Sequence, residues 1–211
     1  MEPIKPLITY TTWRREIELV ECLNHHANYS KGIDIFVHQD DKDNPEGISK
    51  SKNACIREFM AGDYTHLFMF DDDTYPIKNG WHELYMQSEL NHACYTFYRP
   101  KKRHNTHNEY RLSNGCMIYM TRECVETAGG MDVDLHNKYE HKLLSENIYA
   151  WGLTPCPFLD APNSGEYLYC KDQDNGFKRS FDNKTLKRLL DENRPIYHEK
   201  KNKLPMFFRY K

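Results

Sequence analysis

The sequence predicts a single-domain α/β protein of Rossmann-like type, with a mostly parallel central sheet flanked by helices. Three observations predict it. Strand-like and helix-like stretches alternate through residues 6–70. The run Leu67-Phe-Met-Phe70 is apolar without alternation, which suits a strand buried on both faces of a parallel sheet. Acidic loops follow the second and third strands at their carboxyl ends, where open α/β sheets gather ligands.

Taken in order, Pro6–Thr12 is β-branched and led by proline, and reads as the first strand. Residues 13–28 carry Ile17, Val20 and Leu23 at helical spacing with Cys22 beside them, an amphipathic helix closed by Gly32. Residues 33–38 form a second strand and residues 39–47 a polar loop. Ser49 or Ser51 is a candidate cap for a helix running to about Ala61. Beyond the carboxylates Asp71, Asp72 and Asp73, a helix is expected over 78–90 and a strand over 93–98. Residues 99–111 are strongly basic and read as a loop. A strand over 116–120, a short helix over 122–128 stopped by Gly129-Gly130, and a helix over 139–150 follow. That last helix has Leu143, Leu144, Ile148 and Trp151 on its apolar side. Residues 154–176 read as loop with a short strand at 167–169, and 183–193 as the final helix before a basic, aromatic tail.

Composition narrows the class. Lys and Arg number 29 against 31 Asp and Glu in 211 residues, so overall charge names no partner. Seven cysteines include no C-x-x-C pair, and Cys22, Cys55, Cys94 and Cys116 lie in apolar segments. Such cysteines read as buried, reduced thiols rather than a disulfide framework. The first residues have no apolar leader core and no run is long enough to span a bilayer, so a cytoplasmic protein is expected. The absence of G-x-G-x-x-G after the first strand counts against a dinucleotide oxidoreductase.

The chemistry centres on Asp71-Asp72-Asp73. Three adjacent carboxylates repel one another, and partial burial raises that cost. A divalent cation is the simplest reason to tolerate them after a buried strand, the alternative being a solvated, Asp-rich turn. In an extended chain Asp71 and Asp73 would face one way and Asp72 the other. Two hard oxygen donors suit Mg²⁺ or Mn²⁺, with water and substrate phosphates in the remaining positions.

Four stretches in this order resemble the GT-A-fold nucleotide-sugar glycosyltransferases, nearest to the family 2 type. They are residues 9–14 (TYTTWR), residues 47–54 (GISKSKNA), Asp71-Asp72-Asp73, and residues 113–120 (SNGCMIYM) with Gly129-Gly-Met-Asp132 and Tyr139-Glu-His141. The resemblance spans roughly residues 6–152 and rests on order and spacing. It implies one GT-A domain, with a nucleotide-sugar-binding half over about 1–98 and an acceptor half and tail over about 99–211. Thr9, Thr11 and Arg14, with Asp40 or Asp41, would surround the nucleoside. Lys52 and Asn53 would lie near the diphosphate, Asp71 and Asp72 near the ribose or sugar. Asp71 and Asp73 would bind the metal, with His198 a candidate further ligand, and Lys178 and Arg179 would reach the diphosphate. Relatives place an acidic pair where this chain has Glu140-His141, so Glu140 is the candidate general base and His141 its rival or orienting partner. His25, His26, His104 and His107 lack metal-ligand spacing and read as surface.

The implied activity is metal-dependent transfer of a sugar from a nucleoside-diphosphate sugar, UDP favoured, to an acceptor hydroxyl with inversion. Basic segments at 99–111 and 200–211, interleaved with aromatics, admit a hydroxymethylated base in DNA as acceptor beside a saccharide. A nucleotidyltransferase of nucleotide-sugar synthesis would want a glycine-rich loop after the first strand, which residues 9–14 lack. A non-catalytic nucleic-acid-binding protein would use the basic segments and leave the aspartates as a turn.

Overall fold

The computed structural model describes residues 4–174 and 182–210. The first part runs β1 (Pro6–Thr12), α1 (Glu16–Tyr29), β2 (Asp34–Gln39), α2 (Ile48–Ala61), β3 (His66–Asp71), β4 (Thr74–Pro76), α3 (Trp81–Met86) and β5 (His92–Cys94). There follow the short strands β6 (Lys102–Arg103) and β7 (Asn108–Glu109), then β8 (Met117–Thr121), α4 (Arg122–Ala128) and α5 (Glu140–Ala150). The strands β9 (Leu159–Asp160) and β10 (Leu168–Cys170) precede α6 (Asn183–Lys201).

Among the described residues the main sheet has the order β2-β1-β3-β8-β5. β1 is parallel to both β2 and β3, with Thr11 opposite His38 on one side and Asp71 on the other. β8 runs antiparallel to β3 and β5, so the sheet is α/β and mostly parallel, as the sequence predicts. β3 shows why its apolar run does not alternate. Phe68 and Phe70 pack with Tyr10, Cys22, Trp81 and Tyr85 on one face, while Leu67 and Met69 pack with Cys55, Ile56, Phe59 and Met120 on the other. A strand covered twice needs apolar side chains in both directions.

Several boundaries differ from expectation. α3 is shorter at both ends, because Gly80 enters it with φ +80 and Glu89, just past it, has φ +57. α6 is longer, continuing through Pro195. Beyond the proline, Tyr197 is buried, stacked on Tyr139 with ring centroids 4.8 Å apart and donating to Glu146 at 2.6 Å. Tertiary packing there outweighs one missing backbone donor. α2 starts behind Gly47 at φ +88, with Ser49 and Ser51 in its first turn rather than at its cap. In α1 the inward stripe is Cys22 and His26 flanked by Leu19 and Leu23, and Ile17 and Val20 face solvent. His26 is therefore buried, not a surface residue. Its Nε2 lies 2.8 Å from the Tyr10 hydroxyl and its Nδ1 2.7 Å from the Ser30 hydroxyl, and burial pushes its pKa down to about 3. His107 is also buried, stacked on His104 at 4.4 Å. The four cysteines expected inside are buried, and all seven are free.

The chain after α6 folds back as a strap. Asn147 in α5 exchanges two hydrogen bonds with the Met206 backbone, at 2.7 and 2.8 Å. Phe208 then crosses Gly129, and Gly130 N donates to the Phe208 carbonyl at 2.8 Å. A Cβ on Gly129, itself at φ +81, would fall on that carbonyl, and one on Gly130 would fall on the Asn53 side chain. Among the described residues no helix is long and apolar enough to cross a membrane.

Candidate active site

β1 and β3 end side by side, and their next residues meet. Thr12 donates to Asp72 Oδ2 at 2.7 Å. Arg15, at the head of α1, places Nη1 2.8 Å from Asp72 Oδ1 and 3.2 Å from Asp73 Oδ2. Lys52, whose side chain is 1 % exposed, reaches from α2 to within 2.7 Å of Asp71 Oδ1 and 3.2 Å of the Gly115 carbonyl. Every carboxylate of the triplet thus has a cation from the chain itself. The alternation expected of an extended segment stops at Asp71, because β3 ends there and Asp72-Asp73 form a turn. That turn is why Asp73 shares Arg15 with Asp72.

Electrostatics follow from this geometry. Burial pulls the Lys52 ammonium towards neutrality, but the adjacent Asp71 charge and hydrogen bond outweigh it and hold Lys52 above its ordinary value. Burial dominates at Asp72, pushing it up to about 7 against the opposing pull of Arg15 and Thr12.

Glu140 stands across from the triplet. It opens α5 behind Tyr139, a non-glycine residue at φ +70, a conformation that tertiary contacts must hold in place. The carboxylate is buried, with Oε1 3.2 Å from His141 Nδ1, while Oε2 has no hydrogen-bond partner among the described residues. Burial works to raise its pKa, but the hydrogen bond and charge of His141 outweigh it, so Glu140 sits below the ordinary glutamate value. His141 Nε2 is in turn 3.2 Å from the Ser113 carbonyl. Gly115 makes room for that ring: a Cβ there would lie 2.8 Å from His141 Cγ.

These groups line one cavity of about 540 Å³, between the carboxyl ends of β1 and β3, the head of α5 and the first turns of α6. Thr11 Oγ1, Asn114 Oδ1 and Glu140 Oε2 are buried there with no partner among the described residues. Each buried unsatisfied polar group costs about 1–3 kcal/mol. Together with the aspartates, these residues give the cavity a strongly polar lining.

Of the residues singled out in the sequence, Thr11, Asp40, Asp71, Asp72, Asp73, Glu140 and His141 line this cavity, and Lys52 lies directly beneath Asp71. Asp40 also organises its loop, accepting from the backbone N–H groups of Asp41, Glu46 and Gly47. The others lie elsewhere. Thr9 is inside the sheet at 3.5 Å from the Phe68 carbonyl, because its side chain points into the layer rather than past the strand end. Arg14 bonds the Lys42 carbonyl, and Asp41 accepts from Asp43 and Asn44 N–H in a turn. Asn53 clamps the Met131 backbone through both ends of its amide. His198 packs against Tyr197 near the end of α6 and is not among the cavity's residues. Lys178 and Arg179 lie outside the described residues. Sequence reasoning missed Thr12, Arg15, Asn114 and Arg188, which line the cavity. The demand for cations beside three carboxylates was a signal for Arg15; nothing local marks Arg188.

A cation fits the donor set only in part-filled form. Asp71 and Asp73 offer hard carboxylate oxygens to the cavity, but among the described residues no group of three or more His, Cys, Asp or Glu side chains is arranged to hold a metal. That is the donor set of Mg²⁺-type sites, which use one or two carboxylates and leave the rest to phosphates and water.

No family model matches this chain. Over 182 residues, 77% of the chain and 70% of the relative, it is 26% identical to the uncharacterized glycosyltransferase R363 of Acanthamoeba polyphaga mimivirus. Its fold is similar to a mannosyltransferase from Pyrobaculum calidifontis, solved with GDP-Man and Mn²⁺, with TM-score 0.52 and 13% identity over 76% of this chain. It is similar also to S. aureus TarS residues 1–349, solved with UDP, with TM-score 0.51 and 13% identity over 70% of this chain. The chain spans 58% and 56% of those two structures. The fold is that of GT-A glycosyltransferases, as the motif order implies, and the sequence relative carries the same activity in its name.

Proposed function

We propose that the protein is a metal-dependent glycosyltransferase that moves a sugar from a nucleoside-diphosphate sugar to an acceptor hydroxyl. The observation that carries this reading is that Asp71, Asp73 and Glu140 line one cavity, with Glu140 Oε2 unpartnered among the described residues. The nucleoside-diphosphate ligands of two fold neighbours support the donor class. UDP is the favoured nucleotide, and inversion the expected stereochemistry from the resemblance to family 2.

The residues divide the work. Thr11 and Asp40, which line the cavity, would border the nucleoside. Asp71 and Asp73 would hold Mn²⁺ or Mg²⁺, which when bound neutralises charge growing on the diphosphate leaving group. Lys52 orients Asp71 and opposes the burial that raises its pKa. Glu140 Oε2 accepts the proton of the attacking hydroxyl, and His141 holds Oε1 and leaves Oε2 without a partner among the described residues. The acceptor is a saccharide or a hydroxymethylated base in DNA. The first is favoured because the tail lysines are committed within the chain: Lys200 to Asp132 and Asp134, Lys201 to Glu146, Lys203 to Glu199. With a viral sequence relative, the reading places its work in the cytoplasm of a host cell.

Thermal unfolding with UDP, GDP, CDP and ADP, each with and without Mn²⁺, tests the proposal. A ligand that binds only the folded state raises Tm. One diphosphate is expected to raise it only with Mn²⁺, and Asp73→Asn to remove that shift. No shift with any of the four overturns the reading.

A further inference from the structure

A second cavity of about 400 Å³ adjoins the first, and Phe97 and Tyr98 line both. Its volume lies within the roughly 300–1,000 Å³ of small-molecule clefts. Two rings, Phe97 and Tyr98, with centroids 5.1 Å apart, line it, Tyr98 being 49% exposed, while Tyr95 is buried behind them in the core. The amide-bearing residues Asn108, Asn163 and Gln173 also line it, and no carboxylate is among the described lining residues. Asn163 holds φ +61, a conformation that Asn tolerates better than most residues. Gln173 donates to the Tyr95 hydroxyl at 3.1 Å, which leaves its amide oxygen as an acceptor.

The floor is rigid. Asp160, fully buried beneath it, accepts from Thr96 N at 2.8 Å, Ala161 N at 2.8 Å, Tyr85 Oη at 2.9 Å and Ser164 Oγ at 2.6 Å. One carboxylate therefore ties the segment between β5 and Tyr98 to the turn carrying Asn163. Pre-organised ring faces with fixed amides are the complement of a pyranose, whose C–H face is apolar and whose edge is a row of hydroxyls. A nucleic acid would instead require several free cations for its phosphates. Arg103 is the one Lys or Arg among the described lining residues, and neighbouring Lys101 is paired with Glu109 at 2.6 Å.

Building on the glycosyltransferase reading, we propose that this second cavity binds a sugar unit of an oligosaccharide acceptor, adjacent to the unit whose hydroxyl meets Glu140. The acceptor is then at least a disaccharide, and Phe97 and Tyr98 are the bridge between its two units.

Ligand-observed NMR with cellobiose, maltose and lactose, with methyl glucoside as the single-unit control, tests this on the full chain. At least one disaccharide is expected to bind more tightly than methyl glucoside. Tyr98→Ala and Asn163→Gly are each expected to weaken that binding about tenfold, a stacking-sized effect. Asn163→Gly keeps a residue at ease with positive φ and leaves the diphosphate-induced Tm shift unchanged. Disaccharide binding equal in wild type and both variants, or absent for all three sugars, overturns the proposal. So does preferential binding of an oligonucleotide containing 5-hydroxymethylcytosine that the same variants abolish. A wild type that binds disaccharide at this cavity but shows no diphosphate shift would sink the donor reading and leave the saccharide site standing.

Discussion

The two ends of the molecule's cavity system handle buried acid in opposite ways. At the donor end the three carboxylates of Asp71, Asp72 and Asp73 share two full positive charges, Lys52 at 2.7 Å and Arg15 at 2.8 and 3.2 Å. At the acceptor end Glu140 has a single imidazole and an orphan oxygen, and Asp160 is held by four neutral donors. The difference teaches what each end waits for. A carboxylate cluster paired with the chain's own cations would have to exchange those partners for the proposed metal and diphosphate. A carboxylate left partly unsatisfied keeps a lone pair for a proton.

The sharpest way to break this comparison is at Glu140. Glu140→Gln keeps the shape and removes the base, so sugar transfer should fall by about a hundred- to ten-thousandfold. The Mn²⁺-dependent diphosphate shift in Tm should survive. Loss of both together would mean that the two ends are not separable.

Next in size is the donor-end ion pair. Lys52→Met leaves Asp71 without its cation and should lower the unfolding free energy by about 3 kcal/mol, the low end for a broken buried pair because Asp71 meets the cavity. Denaturation in urea reads this directly. The double variant Lys52→Met/Asp71→Asn should recover much of the loss, and failure to recover would show that Lys52 acts through packing rather than charge.

A third test separates cation-paired from dipole-held acid by pH. Burial raises Asp160 to about 7 from 3.8, so the folded chain binds its proton more readily than the unfolded chain does. Stability from this group is complete below the unfolded value and is lost as pH rises through the folded one. Between those limits it should decline by up to about 1.4 kcal/mol per pH unit. Asp160→Asn should flatten that part of the slope whatever it does to the absolute level. Asp72 shifts in the same direction, so some slope should remain.

Much of the fold was legible because burial on two faces leaves a readable pattern, as in Leu67-Phe-Met-Phe70. Helix faces were less so. Ile17 and Val20 match helical spacing, yet the inward stripe includes His26, whose burial depends on Tyr10 and Ser30 being within reach. The aspartates and Glu140 stood out because charge after a strand or at a helix head is a local signal. Thr9, Arg14 and Asn53 share those neighbourhoods in sequence, but a strand's two faces and a helix's turns send neighbours in different directions. Arg15 and Arg188 reach the cavity through turns and a late helix, and no spacing rule records that. The second cavity was invisible for the same reason: it joins residues 95–110 to residues 162–173 across a sheet that β9 completes.

The crossing of Phe208 over Gly129 bears on how the protein could be altered in the laboratory. Gly129 and Gly130 touch no part of the cavity, yet any side chain at either would collide with the returning strap or with Asn53. A saturation library should therefore find these two positions as intolerant as the aspartates, and tail positions such as Arg209, exposed beside the crossing, permissive. Intolerance in such a screen would mark the clasp as well as the chemistry, and only a folding readout would tell them apart.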